Sequence, residues 1–192
     1  FASLFSLFLP PYFFEGILKY LYCQPIENLK EMIEDVDFNL LLKTAEENYE
    51  TGDASLDNTR NQDEIGENEL LVVSFGTSFN DNRRLTIGAI EEKMEAAFPE
   101  YAVRRGFTSQ IIIDHVMSRD NVKIDNVAEA LDRAVDNGVK NLVVQPTLLM
   151  NGIEYEELTT TLAEYSDSFE SVTVGEPLLT SDEDFQKVAA AI

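Results

Sequence analysis

The chain has 192 residues, with 36 Asp+Glu against 14 Lys+Arg, one His, one Cys and a formal net charge of −22. A lone cysteine excludes a disulfide scaffold within the chain, and one His with one Cys excludes a self-contained zinc site of four N/S ligands. The acidity argues against a nucleic-acid partner, whose phosphates need a basic face.

The length allows one domain plus an appendage, and three regions stand apart. Residues 1–43 form an N-terminal extension. Its first part, through Tyr22, is rich in Phe, Leu and Ile, but Pro10-Pro11 interrupts the run and Glu15 and Lys19 follow. A spanning helix needs about 20 unbroken apolar residues. A leader, an anchor and a packed helix stay open, so an extracytoplasmic or membrane-attached location stands level with a cytoplasmic one. After Pro25, Ile26, Leu29, Ile33, Val36 and Leu40 recur at helical spacing. Residues 44–68 carry Glu46, Glu47, Glu50, Asp53, Asp57, Asp63, Glu64 and Glu67 against Arg60 and read as a solvated acidic linker.

Residues 69–192 alternate strand and helix. Leu70-Leu71-Val72-Val73-Ser74 is a continuous apolar run, as in a parallel strand buried on both faces. A helix is expected over about 82–97, with Ile87, Ile90, Met94 and Ala97 on its buried stripe. Tyr101–Arg105 is the second strand. A helix runs from Ser109 to about Met117. Asp125-Asn126 opens another, with Val127, Ala130, Leu131, Ala134 and Val135 facing the core, and Asn137-Gly138 closes it. Leu142–Gln145 is the third strand, Glu154 to about Tyr165 a helix, and Val172–Gly175 the fourth strand. Thr180-Ser181-Asp182-Glu183-Asp184 starts a last helix with no stop signal, which reads as a sequence cut short. The pattern implies an α/β, flavodoxin-like parallel sheet with helices on both faces.

Ligands of such sheets sit beyond the carboxyl ends of the strands. Those ends carry Ser74-Phe75-Gly76-Thr77-Ser78, Gly106-Phe107-Thr108-Ser109, Gln145 to Tyr155, and Glu176 to Ser181. The first loop offers hydroxyls and amides at a helix start, which suits an anion or merely caps the helix. Gly76 lets a ligand approach the backbone. Arg83, Arg84, Arg104 and Arg105 are expected to make this rim less acidic. Neither a nucleotide P-loop ending nor a G-x-G-x-x-G fingerprint is present. Asn151-Gly152 marks a sharp turn that puts Glu154 and Tyr155 on the rim. There Glu154 is open to two roles, a metal or proton acceptor, or helix capping with Glu156 and Glu157. His115 falls inside a helix, away from the strand ends.

Four segments in order resemble the N-terminal half of the anaerobic cobalt chelatases: Leu70–Ser78, Arg105-Gly106-Phe107-Thr108-Ser109, Val144-Gln145-Pro146-Thr147 with Asn151-Gly152 and Glu154-Tyr155, and Gly175-Glu176-Pro177-Leu178-Leu179. The resemblance implies one lobe of a two-lobed chelatase fold. It implies insertion of Co²⁺, as substrate metal, into sirohydrochlorin without ATP or any nucleotide cofactor, during cobalamin synthesis. It makes Ser74, Phe75, Gly76, Thr77, Ser78, Thr108, Ser109, Gln145, Thr147, Asn151, Gly152 and Tyr155 the tetrapyrrole-binding set, with Phe107 and Leu149 as further apolar walls. Glu154 is left as an auxiliary metal carboxylate. The family's two metal-holding, proton-removing histidines belong to the second lobe, so this lobe holds no catalytic residue and is expected to be inactive alone. Two departures stand out: Leu148 replaces a usual His after Gln-Pro-Thr, and Ile153 replaces a frequent acid. Two other readings stay open, an exported tetrapyrrole- or haem-binding relative without enzymatic activity and a flavodoxin-like phosphate-ligand module. Self-association also stays open.

Overall fold

The structure, a computed structural model, describes residues 51–191. The apolar stretch 1–22, the amphipathic stretch 24–43 and residues 44–50 lie outside the described residues.

Continuous apolar character makes Asn68–Ser74 the central strand, β1, because only a strand covered on both faces can bury Leu70, Leu71, Val72 and Val73 together. Strands β2 (Ala102–Phe107), β3 (Asn141–Pro146) and β4 (Ser171–Val174) complete a four-stranded sheet. The order is β2-β1-β3-β4 and every pairing is parallel. Val72 lies opposite Arg105 of β2 and Gln145 of β3. This is the expected α/β sheet with crossover helices.

The helices follow as α1 to α5. Helix α1 begins as α over Asn80–Asn82, turns π over Arg83–Gly88 and returns to α over Ala89–Ala97. Then come α2 (Gln110–Asp120), α3 (Val127–Asp136), α4 (Ile153–Glu164) and α5 (Asp182–Ala191). On one sheet face Leu71, Val73, Leu142 and Val144 meet Ala130, Leu131 and Ala134 of α3 and Leu158 and Leu162 of α4. On the other, Leu70, Val72 and Val103 pack with Met94 of α1. Each fully buried Leu or Val contributes about 1.5–3 kcal/mol. Asn126 and Glu129 form a reciprocal cap on α3, and Gly138, at φ +72°, ends the turn that follows it. Ser181 and Asp184 bond each other's amides at the start of α5. Among the described residues no helix is long and apolar enough to cross a membrane.

Three local expectations are corrected. Of the expected α1 stripe, Ile87 is buried and Met94 packs on the core, but Ile90 and Ala97 are exposed, and Arg83 and Glu91 are buried in line with Ile87. The wider π turn keeps residues four apart on one face. Strand β2 runs on to Phe107, because Arg104 and Arg105 are buried inside it rather than ending it. Val135 of α3 is exposed.

The buried arginines account for a fourth difference, in the acidic segment. Asp57 and Arg60 are buried, whereas a solvated linker was expected there. Asp57 pairs with Arg83 at 2.6 Å and with Arg105 at 2.7 Å, and Arg105 also meets Glu91 at 2.7 Å. Arg104 donates to the carbonyls of Arg60 and Gln62. Three guanidiniums beside a buried sheet need partners, since an unpaired buried charge is strongly destabilising. Residues 51–67 supply them as a strap. The rim therefore gains no positive charge from Arg83, Arg104 or Arg105, and Arg84 pairs with Asp81.

Candidate functional site

The four loops beyond the carboxyl ends of the strands lie at one edge of the sheet, and their backbone hydrogen bonds bind them together. Thr147 N–H donates to the Val73 carbonyl at 2.8 Å, Thr108 N–H to that of Ser74 at 2.9 Å and Ser109 N–H to that of Phe75 at 3.3 Å. The loops after β3 and β4 run on as a paired ribbon, with Leu178 N–H to the Leu148 carbonyl at 3.0 Å and Leu179 N–H to that of Leu149 at 2.8 Å. The last sheet contact is a parallel bridge between Met150 and Leu179.

The expected binding residues divide by depth. Ser74 is buried, its hydroxyl 2.7 Å from that of Thr147, so the pair joins β1 to β3 instead of lining the surface. Phe107 is wholly buried, not an apolar wall of the site. A Cβ added at Gly76, whose φ is +102°, would lie 2.5 Å from the Phe107 ring. Gly76 is thus required by close packing and a left-handed backbone as much as by access for a ligand. Gln145 donates to the Pro146 carbonyl at 2.9 Å and packs so closely on Gly175 that a Cβ there would lie 2.3 Å from its Oε1. Tyr155 hydroxyl lies 3.4 Å from the Gly175 carbonyl.

Phe75 and Asn151 are exposed and Thr77, Ser78, Ser109 and Gly152 half-exposed, so these face solvent at the loop tips. Thr77 Oγ1 accepts from the Phe79 N–H at 3.3 Å. Thr108 keeps a buried Oγ1 with no hydrogen-bond partner. Apolar tips cluster on the same loops: Phe75, Phe79, Leu149, Met150 and Leu178 are all exposed, a grouping that favours a ligand with an apolar face. Sequence reasoning named Phe75 and Leu149 as apolar walls and missed Phe79, Met150 and Leu178. The signal was in the loop positions, since large apolar residues beyond strand ends have no core to enter.

Charge chemistry here is sparse. Glu154, in the first turn of α4, is exposed, and among the described residues no group of three His, Cys, Asp or Glu side chains could hold a metal ion. Leu148, half-buried, and Ile153, 69% exposed, leave the two departures noted above without a donor. His115 lies in the middle of α2, half-buried. The site can hold anionic edges with hydroxyls, amides and the N-termini of α1, α2 and α4, and can offer apolar contact to a ring. An apolar groove of about 380 Å³ between Ile90, Met94 and Phe98 lies at the C-terminal end of α1, at the opposite edge of the sheet from the loops.

Two arginines lie below the first loop: Arg83, expected from the sequence to act on the rim by its charge, and Arg119, which sequence reasoning did not name. Arg83 donates to the Thr77 carbonyl at 3.1 Å, and Arg119 to that of Ser78 at 2.6 Å.

A family model described as cobalt chelatase (CbiK) matches residues 68–192. The chain is 35% identical over 123 residues to the sirohydrochlorin cobaltochelatase of Salmonella typhimurium, covering 64% of this chain and 47% of that protein. It is 30% identical over 125 residues to the sirohydrochlorin cobaltochelatase CbiKC of Nitratidesulfovibrio vulgaris, covering 64% and 44%. The chain spans about half the length of these curated relatives.

Proposed function

The chain belongs to the cobalt chelatase (CbiK) family, and on that premise we propose that it is the macrocycle-holding lobe of an ATP-independent sirohydrochlorin cobaltochelatase of cobalamin synthesis. The observation that carries the reading is the single edge of the sheet where hydroxyls, helix N-termini and exposed apolar tips come together on loops tied to one another. Sirohydrochlorin is a flat macrocycle with carboxylates around its rim. Thr77, Ser78, Ser109 and Asn151 meet those carboxylates, and Phe75, Leu149, Met150 and Leu178 lie against the ring. Binding energy from the rim is what a chelatase spends on distorting the ring for metal entry.

Insertion breaks two pyrrole N–H bonds and forms bonds from cobalt to the ring nitrogens, so two protons need acceptors. The described residues at this edge offer exposed carboxylates, Glu154 at the start of α4 and Glu176 after β4 among them, and no histidine. Glu154 serves as an auxiliary carboxylate for the arriving Co²⁺, and the two protons leave through histidines of a second lobe. The relatives' length supports such a lobe, since this chain aligns with less than half of each.

The test is anaerobic cobalt insertion into sirohydrochlorin by the complete protein with ATP omitted. Turnover is expected from the protein carrying both lobes and none from these 192 residues alone. Tight binding of sirohydrochlorin without insertion by the complete protein would overturn the enzymatic reading.

A further inference from the structure

We propose that Asp57 is a positioning residue for the tetrapyrrole-binding loop: it holds the Arg83 guanidinium, which in turn holds the Thr77 carbonyl. The inference rests on the chelatase reading above. Asp57 lies outside the family-matched residues 68–192, in the strap that precedes them.

The Arg83 side chain is wholly buried and its three nitrogens have three different partners. Nε meets Asp57 Oδ2 at 2.6 Å, Nη1 the Thr77 carbonyl at 3.1 Å and Nη2 the Asn80 Oδ1 at 2.6 Å. Asn80, buried too, donates from Nδ2 to the Gly52 carbonyl at 3.1 Å, and the Asp81 N–H donates to the Thr51 carbonyl at 2.8 Å. Arg119 adds a hold on Ser78 from the α2 side. The carbonyls of two consecutive loop residues are thus pinned by guanidiniums, and one of those guanidiniums takes its charge balance from the strap. A planar fork with three fixed partners has no freedom to turn unless one of them leaves.

The effect of Asp57 falls on the loop more than on the sheet. Asp57 also bonds Arg105, at 2.7 and 3.2 Å, but Arg105 has a second carboxylate in Glu91, with two contacts of 2.7 Å. Arg83 has Asp57 as its directly bonded carboxylate among the described residues, with Asp120 near enough only to feel its charge. Removing the Asp57 charge leaves Arg105 paired with Glu91 and Arg83 without a bonded carboxylate, and Arg83 is the group that touches the loop.

The experiment uses the complete protein with Asp57→Asn, which keeps the size and one oxygen and removes the charge. The sirohydrochlorin KM is expected to rise about tenfold with kcat within about twofold, since a loop displaced by a fraction of an ångström loses uniform binding. Asp57→Glu should recover part of the loss. Glu95→Ala, at the exposed end of the strap's ion pair with Arg60, should leave KM unchanged. Hydrogen exchange of the peptide spanning residues 75–82 should quicken in Asp57→Asn while that of residues 141–146 does not. An unchanged KM, or exchange that quickens equally in both peptides, would overturn the positioning role. If the unsubstituted protein inserts no cobalt, it is the chelatase reading that fails, and the exchange comparison alone decides whether Asp57 sets the loop.

Discussion

The hydroxyls of Ser74 and Thr147 lie 2.7 Å apart and tie the carboxyl end of β1 to the first residue beyond β3. The bond sits beneath the proposed binding edge, where the loops must hold one geometry. A neutral hydrogen bond of this kind contributes about 1 kcal/mol net. Ser74→Ala and Thr147→Val, measured singly and together by thermal unfolding, should show a coupling of about that size. Strict additivity would mean the two hydroxyls do not support each other.

Gly76 and Phe107 are a second such relationship. The Cβ of Gly76→Ala would enter the Phe107 ring, and φ of +102° is unfavourable for any L side chain. We expect this variant to lose about 2–3 kcal/mol and to bind sirohydrochlorin more weakly. A melting temperature equal to that of the parent protein would contradict the packing account.

Glu69 gives a pH dependence. It is buried in β1, both carboxylate oxygens lack a hydrogen-bond partner, and burial pushes its pKa up to about 7 against the pull of Arg104 and Arg133. An unfolded glutamate titrates near 4.5. Between 4.5 and about 7 the unfolded chain has released its proton while the folded one keeps it, so stability falls as pH rises through that window. The full difference is about 3 kcal/mol. Glu69→Gln should be more stable than the parent at pH 8 and equal to it at pH 4, by denaturant unfolding at both values. A parallel pH profile for the two proteins would contradict this.

Glu154 is the one carboxylate assigned to the metal. Glu154→Ala should raise the Co²⁺ KM by about tenfold, equivalent to about 1.4 kcal/mol, with the sirohydrochlorin KM unchanged. Steady-state insertion at varied cobalt measures it, and unchanged cobalt dependence would remove Glu154 from the path of the metal.

The strands were readable because parallel strands buried on both faces leave continuous apolar runs, as Leu70–Val73 does. Helix ends were readable where a cap is local, as at Asn126, Gly138 and Ser181. The strap was not. Asp57 is 48 residues from Arg105 in sequence, and an acidic stretch looks the same whether water or buried guanidiniums neutralise it. For the same reason Arg104 and Arg105 read as the end of a strand that in fact continues to Phe107. The stripe of α1 was right at Ile87 and Met94 and wrong at Ile90 and Ala97, because a π turn leaves no pattern in the sequence. Of the candidate site, the loops were legible and their depth was not: Ser74 and Phe107 face inward through contacts with Thr147 and Gly76 that arise only on folding.

The central claim is that this lobe holds the macrocycle while proton removal happens elsewhere. Steady-state cobalt insertion by the complete protein carrying Thr77→Ala and Asn151→Ala tests it most directly. A raised sirohydrochlorin KM with kcat preserved is the predicted result; a fall in kcat at unchanged KM would contradict it.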